Sequence, residues 1–392
     1  MEFYVGGGCS EHGRNSFFVR GRKISFLVDA GLMKENPAQP FPDLSENQVR
    51  SADYLFLTHC HVDHCGALLW LYERGFRGKV IASRITLETI PGVIKGAMAL
   101  EDLGTSGTEI RLEKNLSFTW GRSGHCLGSV WFLFNAEKKR ILFTGDYSEK
   151  SAAYRCDPIR GVHADLAVID AAYGNEMTDA GDHLKALDRY IAESALSSVK
   201  MFFPVPVHGR GFDVLKILAD HGYETQAGQN ILDELSVMKD DPFWLRKKFR
   251  RLGLSEKVKP YSGDAFEDQI QKKGSSREET EEDPRGSQPS AIVLSDSQLS
   301  KEENRKLAFL LYEAGGITVL TGKQDPASYA RMLLNEKKAV FLRISVHQNK
   351  NELIRLAKKN DFRYVVPFHC REELHFIKKK YLLLHVGDSV KL

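Results

Sequence analysis

The apolar runs in the first part of the chain are short and end in polar turns. Residues 17–19 and 24–28 flank a basic turn at 20–23, and this pattern predicts a β-hairpin. Residues 54–57 form another apolar run of the kind found in buried strands, and a helical pattern follows at 66–72. Similar runs return along the chain between helical stretches. We therefore predict an α/β fold.

A dense group of metal-ligand side chains follows the apolar run at 54–57. It has the pattern HxHxDH and comprises His59, His61, Asp63 and His64. Strand geometry places His59 and His61 on one side of the backbone, and the turn into the helix can bring the next two residues to a neighbouring point. Imidazole and carboxylate are typical ligands of hydrolytic zinc sites. Surface histidines in a turn are the alternative interpretation, but the spacing favours two adjacent metal ions.

Other polar side chains also stand beside apolar runs. Asp29 ends the second strand of the predicted hairpin, where a carboxylate either holds a ligand imidazole by a hydrogen bond or is a plain turn residue; we favour the first role. His125 lies in a glycine-rich loop before a predicted strand. Asp146 and Asp170 each follow a predicted strand. A carboxylate in the place of Asp146 can bridge two metal ions with one oxygen for each.

Composition and charge set wider bounds. The chain has 392 residues and is 42% hydrophobic, which is enough for two domains or one large α/β domain. No apolar run reaches the length of a membrane span, and the first residues do not resemble a signal peptide, so we expect a cytoplasmic protein. The 6 cysteines show no CxxC spacing, and the net charge of +3 is too small to identify a partner.

Several motifs together resemble a known family of hydrolases. HxHxDH at 59–64, GHCLGS at 124–129 and FTGDY at 143–147, in this order, resemble the metallo-β-lactamase-fold hydrolases. DAAYG at 170–174 is similar to the first motif of the β-CASP branch, which includes ribonuclease J and the endonuclease of pre-mRNA cleavage and polyadenylation. The segments 202–211 and 317–324 are also similar to that branch. His347 and His369 stand where its second and third insertion motifs have histidines.

The resemblance implies an architecture. We expect a four-layer αββα metallo-β-lactamase domain from residues 1–172 and 345–392, with an inserted α/β β-CASP domain at 173–344 that covers the metal site as a lid. Residues 267–290 are charged and rich in glycine, serine and proline, so we predict a mobile loop there. A cleft under such a lid suits an extended polymer.

The resemblance also assigns roles to individual residues. One metal ion is held by His59, His61 and His125, the other by Asp63, His64 and His369, with Asp146 between them. The expected catalytic residues are Asp63, His347 and Asp170, where Asp170 orients either His369 or His347 and His347 stabilises growing charge or protonates the leaving oxygen. Arg210 and Ser295 are expected to contact the substrate, and Asp29 to hold a ligand. The expected cofactors are two zinc ions, with manganese as the alternative.

The resulting prediction is a ribonuclease that uses a zinc-activated hydroxide to hydrolyse single-stranded RNA, either internally or from a 5′ end. Two alternatives stay open. One is a small-molecule ester or thioester hydrolase of the same fold, and the other is a catalytically silent RNA-binding subunit. The sequence also leaves open whether the protein forms a homo-oligomer. It departs from the usual motifs at Gln348-Asn349, at Cys370-Arg371 and at Asp296.

Overall fold

The computed structural model describes residues 1–263, 289–371 and 381–392, except residues 93 and 95, together with residue 374. Its contacts divide the chain into two compact units. The first unit comprises Met1–Glu149, Arg155–Asp179 and Val346–Leu392, and the second comprises Lys150–Tyr154 and Ala180–Ser345. The segment predicted as a mobile loop, 267–290, lies outside the described residues except for its last two.

The strands of the first unit form two sheets. The first sheet has the order β19-β1-β2-β3-β4-β5-β6, and the second has the order β18-β11-β10-β9-β8-β7. The strands of the first unit are β1 (Glu2–Gly7), β2 (Ser16–Arg20), β3 (Ser25–Val28), β4 (Tyr54–Phe56), β5 (Lys79–Ala82), β6 (Ala97–Ala99), β7 (Glu109–Glu113), β8 (Leu116–Arg122), β9 (Val130–Ala136), β10 (Lys139–Phe143), β11 (His163–Asp170), β18 (Asp361–Phe368) and β19 (Ser389–Lys391).

The second unit contains one parallel sheet, with the strand order β14-β13-β15-β12-β16-β17. Its strands are β12 (Met201–Val205), β13 (Glu224–Ala227), β14 (Lys259–Pro260), β15 (Ser290–Ser295), β16 (Ile317–Leu320) and β17 (Ala339–Phe341). Strands buried on both faces are expected for a parallel sheet, and β12 is buried at every position.

The helices alternate with these strands. In the described residues they are α1 (Glu46–Ser51), α2 (Val62–Cys65), α3 (Leu68–Glu73), α4 (Arg84–Thr89), α5 (Leu100–Leu103), α6 (Ala180–Leu196), α7 (Gly211–Asp220), α8 (Gln229–Asp240), α9 (Lys247–Arg250), α10 (Leu254–Lys257), α11 (Glu302–Glu313), α12 (Tyr329–Asn335) and α13 (Lys350–Lys358), with a 3₁₀ turn at Pro242–Trp244. The predicted α/β class is confirmed.

The predicted hairpin is confirmed as well. Strands β2 and β3 pair antiparallel, with Phe17 opposite Val28. Their aromatic side chains face the second sheet, where the ring centroid of Phe26 lies 4.6 Å from that of Phe134. The ring of Phe56 on β4 lies 4.7 Å from the same phenylalanine. A core of packed aromatic rings therefore joins the two sheets of the first unit.

Helices cover the outer faces of these two sheets. Val49 of α1 and Leu71 of α3 belong to one buried cluster with Leu55 of the first sheet. Leu353 of α13 belongs to another cluster with Val365 of the second sheet. The first unit therefore has the layers helix, sheet, sheet, helix, which is the predicted four-layer arrangement.

Candidate metal centre

The strands of the first unit bring the predicted site residues to one end of the two sheets. Asp29 comes directly after β3, Asp170 is the last residue of β11, and His369 comes directly after β18. Asp146 follows β10, which pairs parallel with β11. Because the carboxyl ends of parallel strands lie at the same edge of a sheet, side chains from distant parts of the sequence meet there.

The first ligand group consists of His59, His61, His125 and Asp146, whose donor atoms all lie within 4.8 Å of one another. His61 Nδ1 is 3.1 Å from His59 Nε2 and 3.1 Å from His125 Nε2. Asp146 Oδ2 is 3.3 Å from His125 Nε2. Three ring nitrogens and one carboxylate oxygen thus converge on one point.

The second ligand group consists of Asp63, His64 and His369. His369 Nε2 lies 3.4 Å from Asp63 Oδ2. The other oxygen of Asp146, Oδ1, lies 3.2 Å from His64 Nε2 and 3.4 Å from His369 Nδ1. The two oxygens of Asp146 therefore face different ligand groups, which is the geometry that a bridging carboxylate requires.

These atoms fit divalent metal ions. Asp146 Oδ1 and His369 Nδ1 are buried, and no hydrogen-bond partner for either atom is found among the described residues. A buried polar atom without a partner is costly unless another group satisfies it. Imidazole nitrogens and carboxylate oxygens without thiolate are the donors of hydrolytic metal sites. The predicted His/Asp cluster is thus present as a set of mutually close ligand atoms.

The electrostatics of the centre also favour cations. Burial, with the charge of His64, holds the pKa of His59 well below its ordinary value, and burial lowers the pKa of His125 to about 4. Burial opposes protonation of His64 too, but Asp146, Asp29 and Asp63 outweigh it and raise its pKa well above the ordinary value. The field that favours a proton at His64 favours a metal cation in the same place.

Asp29 lies beneath the ligand groups. It is buried, and it accepts hydrogen bonds from the Thr58 backbone N–H at 2.7 Å and the Thr58 hydroxyl at 2.9 Å. His64 Nδ1 donates to Asp29 Oδ2 over 2.7 Å, which directs Nε2 of that ring towards the centre. His59 Nδ1 lies 3.1 Å from the Thr58 hydroxyl. One carboxylate thus contacts one ligand ring directly and a second ring through Thr58.

His347 and Asp170 form a pair beside the ligand groups, and donor atoms of the pair lie within 4.8 Å of donor atoms of Asp146 and His369. His347 Nδ1 lies 2.9 Å from Asp170 Oδ2, so of the two histidines considered for Asp170, the structure places His347 against it. Asp170 is fully buried and also accepts hydrogen bonds from the backbone N–H groups of Tyr147 and Ala172. His347 Nδ1 is 3.8 Å from Asp146 Oδ2. This pair is held rigidly next to the bridging position.

Two residues that the sequence did not indicate complete the centre. Asn15 Nδ2 lies 2.9 Å from His64 Nε2 and 3.0 Å from the backbone oxygen of Asp63. At Gly31, a Cβ atom would lie 1.8 Å from that same backbone oxygen. Neither residue stands in a ligand-like pattern. The only signal available in the sequence was the presence of a glycine two positions after Asp29.

We expect Gly31→Ala to disturb the second ligand group. The added methyl group would force the start of α2, which carries Asp63, away from Gly31, at a cost of about 2–3 kcal/mol of unfolding free energy. Thermal denaturation and metal content measure the two effects. Gly263→Ala is the matched control, because the nearest atom to a Cβ there is the Tyr261 hydroxyl oxygen at 3.8 Å. Equal metal content and stability in both variants would contradict the expectation.

The departures from the usual motifs have a structural effect at Asn349. Its side chain accepts from the Glu352 backbone N–H, and the Glu352 side chain accepts from the Asn349 backbone N–H, so the two form a capping box at the start of α13. Asn349 therefore caps the start of α13 rather than contacting the ligand groups.

Arg210 and Ser295 belong to the second unit. Arg210 Nη1 donates to the backbone oxygen of Thr321 over 2.9 Å. The hydroxyl of Ser295 is buried without a hydrogen-bond partner among the described residues. Their predicted contact with substrate stays a prediction.

Two further findings concern the cysteines and the helices. None of the 6 cysteines forms a disulfide. No helix in the described part of the chain is long and apolar enough to cross a membrane.

The fold and the His/Asp centre define the class of protein. A sequence profile of the metallo-beta-lactamase superfamily matches residues 10–208, about half of the chain. The chain therefore belongs to the metallo-beta-lactamase superfamily, as its motifs predicted.

Comparison with curated proteins narrows the assignment. The chain is 22% identical over 268 residues to "Endoribonuclease YSH1" of Candida albicans, covering 59% of this chain and 30% of that protein. It is 22% identical to "RNase J-like protein" of Methanocaldococcus jannaschii, with 90% and 88% covered. It is 23% identical to "Transcription termination factor FttA" of a Lokiarchaeum, with 67% and 47% covered. The names of the first two relatives agree with the resemblance to RNA-processing nucleases that the motifs indicate.

The chain matches less than half the length of the first and third of these relatives. A solved structure supports the fold over the full length. It is a protein of unknown function from Enterococcus faecalis V583, with a TM-score of 0.64 and 14% identity, covering 100% of this chain and 99% of that one. At this identity the likeness shows the fold alone.

Proposed function

We propose that this protein is a metal-dependent ribonuclease that hydrolyses phosphodiester bonds of single-stranded RNA. The observation that carries the proposal is the pair of ligand groups that share Asp146, with each carboxylate oxygen facing one group. Two adjacent metal sites suit phosphoryl transfer, because both the attacking and the leaving oxygen can be stabilised. The names of the relatives, an endoribonuclease and an RNase J-like protein, support RNA as the substrate.

The proposed ligands are the residues of the two groups. His59, His61 and His125 would hold one ion and Asp63, His64 and His369 the other, with Asp146 shared. Divalent ions held there supply positive charge to the phosphate and lower the pKa of a bound water towards 7. We propose zinc, because nitrogen and oxygen donors in these numbers suit it, and manganese is the alternative.

The residues of the chain prepare this centre before substrate arrives. Asp29 fixes His64 directly and His59 through Thr58, so these two rings do not need to reorient. His125 Nδ1 donates to the backbone oxygen of Val346 over 2.9 Å, which directs its Nε2 towards the centre. Ligand rings held in this way lose little conformational freedom on binding.

His347 is proposed to act on the reacting phosphate. Its Nδ1–H donates to Asp170, so its Nε2 is the atom that can reach a substrate oxygen. In that position it stabilises the charge that grows on the phosphate or gives a proton to the leaving oxygen. Asp170 is a positioning residue, because it contacts His347 rather than the substrate. Arg210 and Ser295 are proposed to contact the RNA backbone.

The direct test measures metal and cleavage on one preparation. The purified protein is analysed for metal, then incubated with end-labelled single-stranded RNA, single-stranded DNA of the same sequence and a panel of esters and thioesters. A chelated sample and a sample with zinc or manganese restored are treated in parallel. We expect about two metal ions per chain and RNA cleavage that chelation abolishes and metal restores.

Two outcomes of this test would contradict the proposed ribonuclease function. Ester or thioester hydrolysis without RNA cleavage would indicate a small-molecule hydrolase. RNA binding without cleavage under any metal would indicate a silent binding subunit. The lengths of the labelled products separate internal cleavage from removal of nucleotides at the 5′ end.

A further inference from the structure

A cluster of basic side chains lies at the other end of the first unit from the ligand groups. We call it the basic face, and it consists of Arg22, Lys23, Arg111, Lys114, Lys138 and Lys139. These residues line a groove of about 620 Å³ together with Asn115 and Asn135. They lie in or beside three hairpin turns, those between β2 and β3, β7 and β8, and β9 and β10.

The strand directions place the basic face far from the metal centre. Strand β10 starts at Lys139 and runs towards Asp146, and β3 starts at Ser25 and runs towards Asp29. At a rise of about 3.3 Å per residue, the four steps of extended strand from Lys139 to Phe143 span about 13 Å before the loop that carries Asp146. The basic face therefore lies about one strand length from the ligand groups.

A second groove of about 650 Å³ continues the basic face. Arg50, Arg77 and Lys79 line it, and it shares Lys23 and Lys114 with the first groove. These five side chains are exposed. The positive charge is therefore arranged along a continuous concave surface rather than at one point.

Lys139 pairs with Asp165 at 3.7 Å and Arg50 with Glu46 at 3.1 Å, whereas the two glutamates that line the first groove are engaged with other groups. Glu137 accepts hydrogen bonds from the backbone N–H groups of Arg22 at 2.9 Å and Lys23 at 2.7 Å. Glu113 accepts from the Tyr54 hydroxyl over 3.0 Å. Within the described ranges, no carboxylate forms an ion pair with the ammonium group of Lys23, Lys114 or Lys138. Their positive charges face solvent.

The two charged residues of the turn between β9 and β10 have positive φ angles, a backbone conformation that is unfavourable for most residues other than glycine. Its two residues are Glu137 with a φ of 47° and Lys138 with a φ of 69°. Two-residue hairpin turns with positive φ usually contain Asn-Gly or Asp-Gly, because other residues are strained there. Through its two hydrogen bonds, Glu137 links this turn to the turn that contains Arg22 and Lys23. Lys138 adds a positive charge to the groove.

We propose that the basic face binds the sugar–phosphate backbone of the RNA substrate at a distance from the metal centre. This inference rests on the proposed ribonuclease function, which supplies a polyanion as partner. Lysine, arginine and asparagine side chains are the common donors to phosphate oxygens. Such contacts are independent of base sequence and release counterions, so they make binding dependent on salt. The basic face would add affinity only for RNA long enough to extend beyond the metal centre.

The test is a charge reversal with a matched control. Lys23→Glu/Lys114→Glu reverses the two lysines that both grooves share. Lys358→Glu/Lys359→Glu makes the same change in net charge at exposed positions at the end of α13. Binding of a short and a long single-stranded RNA is measured in the presence of a chelator, so that no cleavage occurs, over a series of salt concentrations. Circular dichroism and thermal denaturation establish that each variant is folded.

We expect the Lys23/Lys114 variant to bind the long RNA roughly tenfold more weakly at low salt, with the slope of log K against log salt reduced by about 1.4, since each phosphate contact on a single strand contributes about 0.7. The gain in affinity from short to long RNA should shrink in this variant and persist in the control. Equal weakening in both double variants, or no weakening in either, would overturn the inference.

The two proposals fail in distinguishable ways. If the wild-type protein neither binds nor cleaves RNA, the proposed function is wrong and this inference falls with it. If the wild-type protein cleaves RNA and the Lys23/Lys114 variant binds long RNA normally, only the role of the basic face is wrong.

Discussion

Replacement of Asp146 by asparagine is expected to lower the proposed RNA hydrolysis about 10³-fold or more, because the removed oxygen would serve one of the two proposed metal sites. Asp146 is 2% exposed, and its two oxygens face different ligand groups. An amide keeps one oxygen, loses the negative charge and adds an N–H donor that repels cations. Metal content should fall from about two ions per chain to about one or fewer.

The measurement is metal analysis and cleavage of labelled RNA on the same preparations. Asp102→Asn is the matched control, because Asp102 is an exposed carboxylate of the same unit in a surface ion pair with Arg84, and such pairs contribute little to stability. Its metal content and activity should equal those of the wild-type protein. An Asp146→Asn variant with full activity and two metal ions would show that the carboxylate is not shared.

Replacement of His347 by alanine is expected to reduce RNA cleavage by about 10²–10⁴-fold without loss of metal. His347 is held by Asp170 at 2.9 Å and lies beside the ligand groups, at 3.8 Å from Asp146. Asp170→Asn should have a smaller effect in the same direction, because an amide can hold the ring in the wrong tautomer while keeping its position. Metal analysis separates this role from ligation: a fall in metal content would identify His347 as a ligand instead.

A change of leaving group tests what His347 does. If it gives a proton to the leaving oxygen, the loss of rate should be much smaller for a phosphodiester with a nitrophenol leaving group, which departs without a proton. Stabilisation of charge on the phosphate would slow both substrates to a similar extent, and so would a merely structural role. His163→Ala is the control variant, since His163 is an exposed histidine of the same unit paired with Asp361.

The parts of the centre that the sequence predicts are those in which a polar residue directly follows an apolar run. Asp29 and Asp170 stand at strand ends in the sequence, and the structure brings both to the same edge. The proximity of Asp29 to His64 follows from the parallel pairing of β3 with β4, which puts their carboxyl ends together. His347 reaches Asp170 from the loop between β17 and α13 instead. The sequence left the partner of Asp170 open between two histidines, because choosing between them requires the loop geometry after β17.

The remaining features depend on contacts between residues far apart in the sequence, and these contacts leave no pattern in the local sequence. Asn15 and Gly31 matter through their approach to the backbone of Asp63, and nothing in their own neighbourhood indicates that distance. The basic face is hidden for the same reason. Its lysines come from three turns that are separated in sequence and neighbours only in space, so the small net charge of the whole chain gave no hint of it.

Pairing between β11 and β18 joins residues far apart in the chain, with His163 opposite Asp361 and Asp170 opposite Phe368. The strand that carries His369 to the second ligand group is therefore made by the ribosome long after the HxHxDH segment. A nascent chain that has not reached residue 369 lacks a ligand and the last strand of its second sheet. We expect newly synthesised molecules to remain inactive until this late segment docks, and folding to be slow because the pairing is so non-local.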